Sequence, residues 1–217
     1  MTAARFITLE GGEGAGKTTQ ARLLVERLGR AGIMAVATRE PGGAPGAEEI
    51  RGLLVSGEAG RWQAMTETLL HTAARVEHVT HLVRPSLAAG TWVVSDRYVD
   101  STLAYQGAAQ NVGPDAVKTL HSIALGGLMP DLTLVLDMEP EAGLARARSR
   151  AAPGSAGPGA AEDRYERMGL AFHRRLRAAF LDIAAAEPGR CAVVGADGDV
   201  ETVSDRLWAA VADRFGL

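Results

Sequence analysis

One cysteine in 217 residues, Cys191, leaves no internal disulfide to form and suits a reducing compartment. It lies in the apolar run Cys191-Ala192-Val193-Val194, which reads as a buried structural thiol rather than a reactive one. Positive charge has no surplus either. A net charge of −3 gives no electrostatic footprint for DNA, RNA or an anionic membrane. No apolar stretch approaches the length of a membrane span, and the Cys and His residues show no metal-site spacing. The N-terminus enters an apolar, β-favouring run, Phe6-Ile7-Thr8-Leu9, almost at once, which leaves no room for a signal sequence. The expectation is a cytoplasmic protein with neither nucleic acid nor membrane as partner. Apolar residues at 47% and charged residues at 23% are ordinary for a globular chain, and the length suffices for one buried core.

What is present concentrates in Gly11-Gly12-Glu13-Gly14-Ala15-Gly16-Lys17-Thr18-Thr19, which fits G-x-x-x-x-G-K-[ST]. The β-favouring run precedes it, and Leu23, Leu24, Arg27 and Leu28 follow at helical spacing. A strand, a glycine turn and a helix start are the setting in which this pattern cradles phosphate. Without Cβ atoms, Gly11, Gly14 and Gly16 let successive N–H groups turn towards one anion. The helix start adds its positive dipole end. Lys17 can then reach β- and γ-phosphates, and the Thr18 hydroxyl can ligate Mg²⁺. A nucleoside triphosphate is the implied ligand.

The remaining chain alternates strand and helix. Strands are expected at 33–37, 92–95, 132–137 and from Cys191, and helices over 47–55, 64–89, 116–125 and 200–215. Leu132-Thr133-Leu134-Val135-Leu136 is nearly continuous apolar sequence, as a parallel strand covered on both faces should be. Five strands interleaved with helices predict an α/β fold: the P-loop NTPase three-layer sandwich, a five-stranded parallel sheet with helices on both faces. Ligands of such sheets sit at the carboxyl ends of the strands, which brings Arg39 and Asp96-Arg97 to the edge that holds the phosphate loop. One segment has nothing with which to build a core: Ala151 to Ala161, rich in Gly and Pro. Arg146, Arg148 and Arg150 stand before it, and Asp163-Arg164-Tyr165-Glu166 after it. It reads as a mobile lid over about 147–165 in one domain spanning 1–217, closing its arginines over the transferring phosphates.

With these residues in view the chain resembles bacterial thymidylate kinases. The matching stretches are Glu10-Gly11 through Thr19, Thr38-Arg39-Glu40-Pro41-Gly42-Gly43, Ala73-Ala74-Arg75, Asp96-Arg97-Tyr98, Ser101 to Gly107, Pro130 to Thr133 and Asp163 to Glu166. The resemblance implies Mg²⁺-dependent transfer of the ATP γ-phosphoryl group to thymidine monophosphate, in a homodimer packed through the 64–89 and 116–125 helices. It implies Gly11 to Thr19 and Arg146 at ATP, and Lys17, Arg97, Arg148 and Arg150 in catalysis. It implies Thr18 and, through water, Asp96 at the metal. Glu13, Arg39, Arg51, His71, Arg75, Arg97, Thr102, Tyr105 and Gln106 are implied at the acceptor. Of these, Arg39 and Arg97 would clamp its phosphate and Glu13 the sugar 3′-hydroxyl. Arg75, Thr102 and Gln106 would read the thymine edge, and Tyr105 would crowd out a 2′-hydroxyl. The resemblance also makes Glu40–Pro41 a candidate cis peptide. No residue between Gly12 and Ala15 is basic, while the lid is arginine-rich, so the chain resembles the members that carry their catalytic arginine in the lid.

Two departures stand out. Four residues before Arg75, where the family usually has Phe stacked on thymine, this chain has His71, which offers less apolar area but a hydrogen-bonding edge. The methyl that separates thymine from uracil is worth only about 1–3 kcal/mol, so kinases acting on dUMP or a modified pyrimidine deoxynucleotide stay open as alternatives. The lid is also longer and richer in Gly and Pro than the compact version. A rival of another class, a P-loop nucleotide switch, would need an N-K-x-D and a D-x-x-G at the γ-phosphate; the sequence has no N-K-x-D, and its one D-x-x-G, Asp213 to Gly216, lies far along the chain from the phosphate loop.

Overall fold

The computed structural model describes residues 3–58, 60–150, 165 and 167–217. Its sheet contains β1 (Phe6–Glu10), β2 (Ala35–Arg39), β3 (Trp92–Asp96), β4 (Leu132–Asp137) and β5 (Cys191–Gly195), all parallel, in the order β2-β3-β1-β4-β5. The chain runs from β1 out to the β2 edge, returns through β3, and then crosses to the far side of β1. The end of β1 is therefore flanked by the ends of β3 and β4. The inner strands are buried along their length, save the last residue of β4, while the edges β2 and β5 are partly exposed. That burial is why the inner strands read as apolar runs rather than as alternating ones.

The helices are α1 (Lys17–Arg30), α2 (Pro45–Val55), α3 (Ala64–His78), α4 (Arg84–Ala88), α5 (Val99–Thr102), α6 (Pro114–Leu125), α7 (Pro140–Arg150), α8 (Leu170–Ala186) and α9 (Val200–Phe215). π-helical turns occupy Val79–Val83 and Leu103–Ala109. Side chains alternate across each strand, and this sorts the two faces. Ile7, Leu9, Trp92, Val94, Leu132, Leu134 and Leu136 pack under α1 and α9. Phe6, Val93 and Val135 point the other way, towards α3, α6, α8 and the π turns. The second face is also the polar one. Thr8 and Thr133 pair through their hydroxyls at 3.0 Å, Thr133 donates to Asp100 at 3.1 Å, and Arg190 forks onto both Asp100 oxygens at 2.7 Å.

The expected five-stranded parallel sheet is present, with local shifts. β2 starts at Ala35 rather than 33, because after Gly32 the Ile33 N–H is used in closing α1, donating to Leu28 O at 2.9 Å. The continuous helix expected over 64–89 changes pitch at Val79–Val83, just before Pro85, whose missing N–H breaks the i→i−4 ladder there. α2 and α6 begin at Pro45 and Pro114, earlier than read, since proline fits the first helical position, where its N–H is not needed. Among the described residues no helix is long and apolar enough to cross a membrane. The lid expected over 147–165 lies outside the described residues from 151 to 164. Its earlier part is the last turn of α7.

Candidate active site

β1 delivers the chain into a turn over 11–16 that opens α1. Gly11, Gly14 and Gly16 have φ of 130°, 75° and 90°. A side chain at Gly14 would overlap the carbonyl of Gly143 in α7, and one at Gly143 would overlap the carbonyl of Glu13. The loop and the first turn of α7 are thus packed backbone against backbone. Gly16 offers no side chain to cap α1, so the helix presents its first N–H groups to whatever anion the turn receives.

Lys17 is buried beneath this turn, its Nζ donating to Gly12 O at 2.7 Å and Gly11 O at 3.1 Å. Burial, with the Arg97 cation nearby, pulls its pKa down to about 8 against the opposing pull of Glu13 and Asp96. The Thr18 hydroxyl donates to Asp96 Oδ2 at 2.5 Å, while Asp96 Oδ1 is buried with no partner among the described residues.

At the end of β3, Arg97 adopts φ 72°, the left-handed region. The turn aims its guanidinium back across the loop, where Nη2 meets both Glu13 oxygens at 3.0 and 3.1 Å and Nη1 donates to Gly11 O at 3.2 Å. Tyr105 Oη donates to Glu13 Oε1 at 2.7 Å, and its ring lies 5.2 Å from the Arg97 guanidinium. Burial opposes the Glu13 charge, but Arg97 and Lys17 outweigh it and hold the pKa near 2. Arg97 is held charged, the surrounding Tyr105, Glu13 and Asp96 overcoming its desolvation.

Further along the same edge, Arg39 ends the exposed β2 and pairs with Glu48 of α2 at 3.1 Å, and Arg51 Nη1 donates to Pro41 O at 2.6 Å across the cis Glu40–Pro41 bond. Arg75 is only 2% exposed. Its Nε donates to Glu40 Oε2 at 2.7 Å and its Nη2 to Thr102 Oγ1 at 2.9 Å and Tyr98 O at 3.2 Å. His78 holds the other Glu40 oxygen at 2.8 Å and reaches Thr38 Oγ1 at 2.8 Å with its second nitrogen. Burial works against the Glu40 anion, yet Arg75 and His78 keep its pKa below the usual range.

Two turns before Arg75 on α3, Glu67 is fully buried. Its Oε1 accepts from Gln106 Nε2 at 2.7 Å, Tyr165 Oη at 2.7 Å and Gln110 Nε2 at 3.0 Å. Tyr165 Oη lies 3.3 Å from Gln106 Nε2 and 3.2 Å from His71 Nε2. Burial pushes the His71 pKa down to about 4, so the ring is neutral. On α7, Arg146 donates to Ala196 O at 3.1 Å and Gly198 O at 3.2 Å, bracing the helix against the loop after β5. Arg148 is exposed. The side chain of Arg150, and the whole of Arg164, fall outside what the structure describes.

With this geometry fixed, comparison with known proteins separates the possible P-loop chemistries. The family model described as thymidylate kinase matches residues 9–207. The chain belongs to the thymidylate kinase family. It is therefore a phosphotransferase of the nucleoside monophosphate kinase class. The thymidylate kinase of Caulobacter vibrioides is 50% identical over 217 residues, covering 100% of both chains. That of Nitrobacter winogradskyi is 50% identical over 210 residues, 97% of this chain and 89% of its own. The crystal structure of thymidylate kinase from Ehrlichia chaffeensis superposes with a TM-score of 0.74 at 29% identity, over 97% of this chain and 99% of that one.

Of the residues expected at a thymidylate kinase site, the structure gathers Glu13, Lys17, Thr18, Asp96, Arg97 and Tyr105 around one loop, and joins Arg75 to Thr102. Arg39 stands apart, turned to Glu48, and Arg146 is occupied with backbone carbonyls. Sequence reasoning missed Glu67 and Gly143, and gave Glu40 and Tyr165 no role of their own although both lie inside matched stretches. Glu67 shares its helix face with His71 at i+4, and a carboxylate on the inner face of a helix was the one available signal.

Proposed function

We propose that this site transfers the γ-phosphoryl group of ATP to dTMP, giving dTDP on the route to dTTP for DNA synthesis. The observation that carries the reading is the cluster at the end of β1 and β3, where an amide nest with Lys17 stands beside an Arg97–Glu13–Tyr105 group. One half is built for a triphosphate, the other for a phosphorylated sugar. The donor's phosphates take the nest over 11–16 with Lys17 and Thr19. Mg²⁺ fits beside Thr18 and, through water, Asp96: a buried carboxylate oxygen with no partner among the described residues suits a hydrated cation. When bound, the ion would supply neutralisation of charge on the donor phosphates.

An acceptor phosphate is already an anion at neutral pH, so no general base is needed, and catalysis is alignment plus charge compensation. Arg97 and Arg39 grip the acceptor phosphate, Arg39 leaving Glu48 to do so, with Arg51 beside them. Glu13, anionic at every working pH, accepts the sugar hydroxyl, and Tyr105, held by Glu13, excludes a ribose. Arg75, Thr102 and Gln106 face the base edge. Arg148 and Arg150, at the end of α7, carry the catalytic cations from one kinase domain with a lid. The setting is cytoplasmic. Exposed Met65 and Leu69 on α3 and Ile123 on α6 support a homodimer through those helices.

The test is a panel of dTMP, dUMP, dCMP and dGMP at one concentration, scored by nucleoside diphosphate formed. dTMP should be the preferred acceptor. Preference for dGMP, or ATP hydrolysis equally fast with no acceptor, would sink the proposal.

A further inference from the structure

The proton count around Glu67 fixes something no heavy-atom position states, namely which way the Gln106 amide faces. A carboxylate only accepts, so each group meeting Glu67 Oε1 must present hydrogen. Gln106 is therefore oriented with its NH₂ towards Glu67, at 2.7 Å, and the same nitrogen reaches Tyr165 Oη at 3.3 Å. Tyr165 has a single hydroxyl proton, and the 2.7 Å contact with Glu67 takes it. The hydroxyl oxygen is then placed to accept from His71 Nε2 at 3.2 Å, which suits the Nε2–H tautomer. His71 is neutral and has one N–H to give. Both hydrogens of the Gln106 amide are thus spent on protein. No hydrogen bond to Gln106 Oε1 forms among the described residues, so the amide offers an acceptor and nothing else.

The geometry points to Glu67 as a specificity-determining positioning residue: it locks Gln106 with its carbonyl outward, so that the site takes bases that present N–H at the edge read by Gln106. This rests on the reading of Gln106 as a base-edge residue. Thymine and uracil carry a hydrogen on N3; cytosine carries a lone pair there. A locked acceptor pairs with the first two and leaves two acceptors face to face with the third, a loss that sites built on buried hydrogen bonds make large. A free glutamine would simply flip. Within this group His71, the residue that departs from the family pattern, serves as the donor that completes the Tyr165 hydroxyl and not as a stacking surface alone.

The experiment compares kcat/KM for dTMP and dCMP in the wild type, Glu67→Gln, Gln106→Ala and the double variant. Glu67→Gln keeps the shape but can present either hydrogen or oxygen to Gln106, so the dTMP/dCMP ratio should fall by about 10- to 100-fold, with dCMP gaining as dTMP loses. If Glu67 acts through Gln106, adding Glu67→Gln to Gln106→Ala should change the ratio no further. A Glu67→Gln enzyme that loses both acceptors equally, its ratio unchanged, overturns the inference. The wild type gives a test that no folding defect can spoil: it should reject dCMP and N3-methyl-dTMP alike, and acceptance of dCMP at the dTMP rate overturns the inference. A wild type inert towards both dTMP and dUMP would instead overturn the kinase reading and take this inference with it.

Discussion

Lys17 carries its charge at a cost. Burial and the neighbouring Arg97 bring its pKa to about 8, within reach of ordinary buffers. Only the ammonium form grips phosphate, so kcat/KM for ATP should fall about tenfold per pH unit above that point, following the free enzyme. An acceptor anion in place should move the limb upward; a flat profile to pH 10 would contradict the assignment. Asp96 makes a second prediction at this scale. Asp96→Asn keeps a partner for Thr18 but loses the unpaired anionic oxygen, and turnover should drop by about 10²–10³-fold with a higher Mg²⁺ requirement in a titration. Arg97 shows how far the chain goes to place one group. A left-handed φ on a residue with a side chain costs about 1–3 kcal/mol, and here it turns the guanidinium back over the loop to meet Glu13.

At the scale of elements, Arg190 at the head of β5 and Asp100 of α5 pin a strand to a helix across the polar face of the sheet. Asp100 is fully buried, so Arg190→Met strands its charge and should destabilise the fold by about 3–5 kcal/mol in denaturant unfolding. An effect under 1 kcal/mol would mean that water reaches Asp100. The loop and α7 make a second pair. Gly143→Ala should impair ATP binding, read as a raised KM for ATP, because the added methyl presses on the Glu13 carbonyl.

Elements were also what the sequence made most legible. Strands buried on both faces write unbroken apolar runs, and the phosphate loop needs its glycines in order, so the sheet and the nest could be read directly. The resemblance to a family assigned Glu13, Asp96, Arg97 and Tyr105 to one site, and the structure brings these side chains together around the phosphate loop. What could not be read depends on atoms far apart in the chain. The π turn over 103–109 leaves no periodic trace. The hold of Glu67 on Gln106 and Tyr165 needs three segments brought together, and no spacing encodes it. Pro85 did carry a signal for the break after α3, but an apolar helical period on both sides masked it.

For the whole molecule, the apolar side chains left open on α3 and α6 predict a two-fold dimer, so sedimentation at micromolar concentration should give about twice the 22.7 kDa chain mass. A monomer there would refute it. Charge is distributed over the resting molecule with equal economy. Arg97 already holds Glu13, and Arg39 already holds Glu48. If Arg97 and Arg39 take the acceptor phosphate as proposed, the monophosphate does not land on bare cations; it competes with carboxylates that were there first. Its affinity is then a difference between two similar attractions, both weakened by added salt. Binding of the acceptor should depend on ionic strength less steeply than the number of arginines around it suggests.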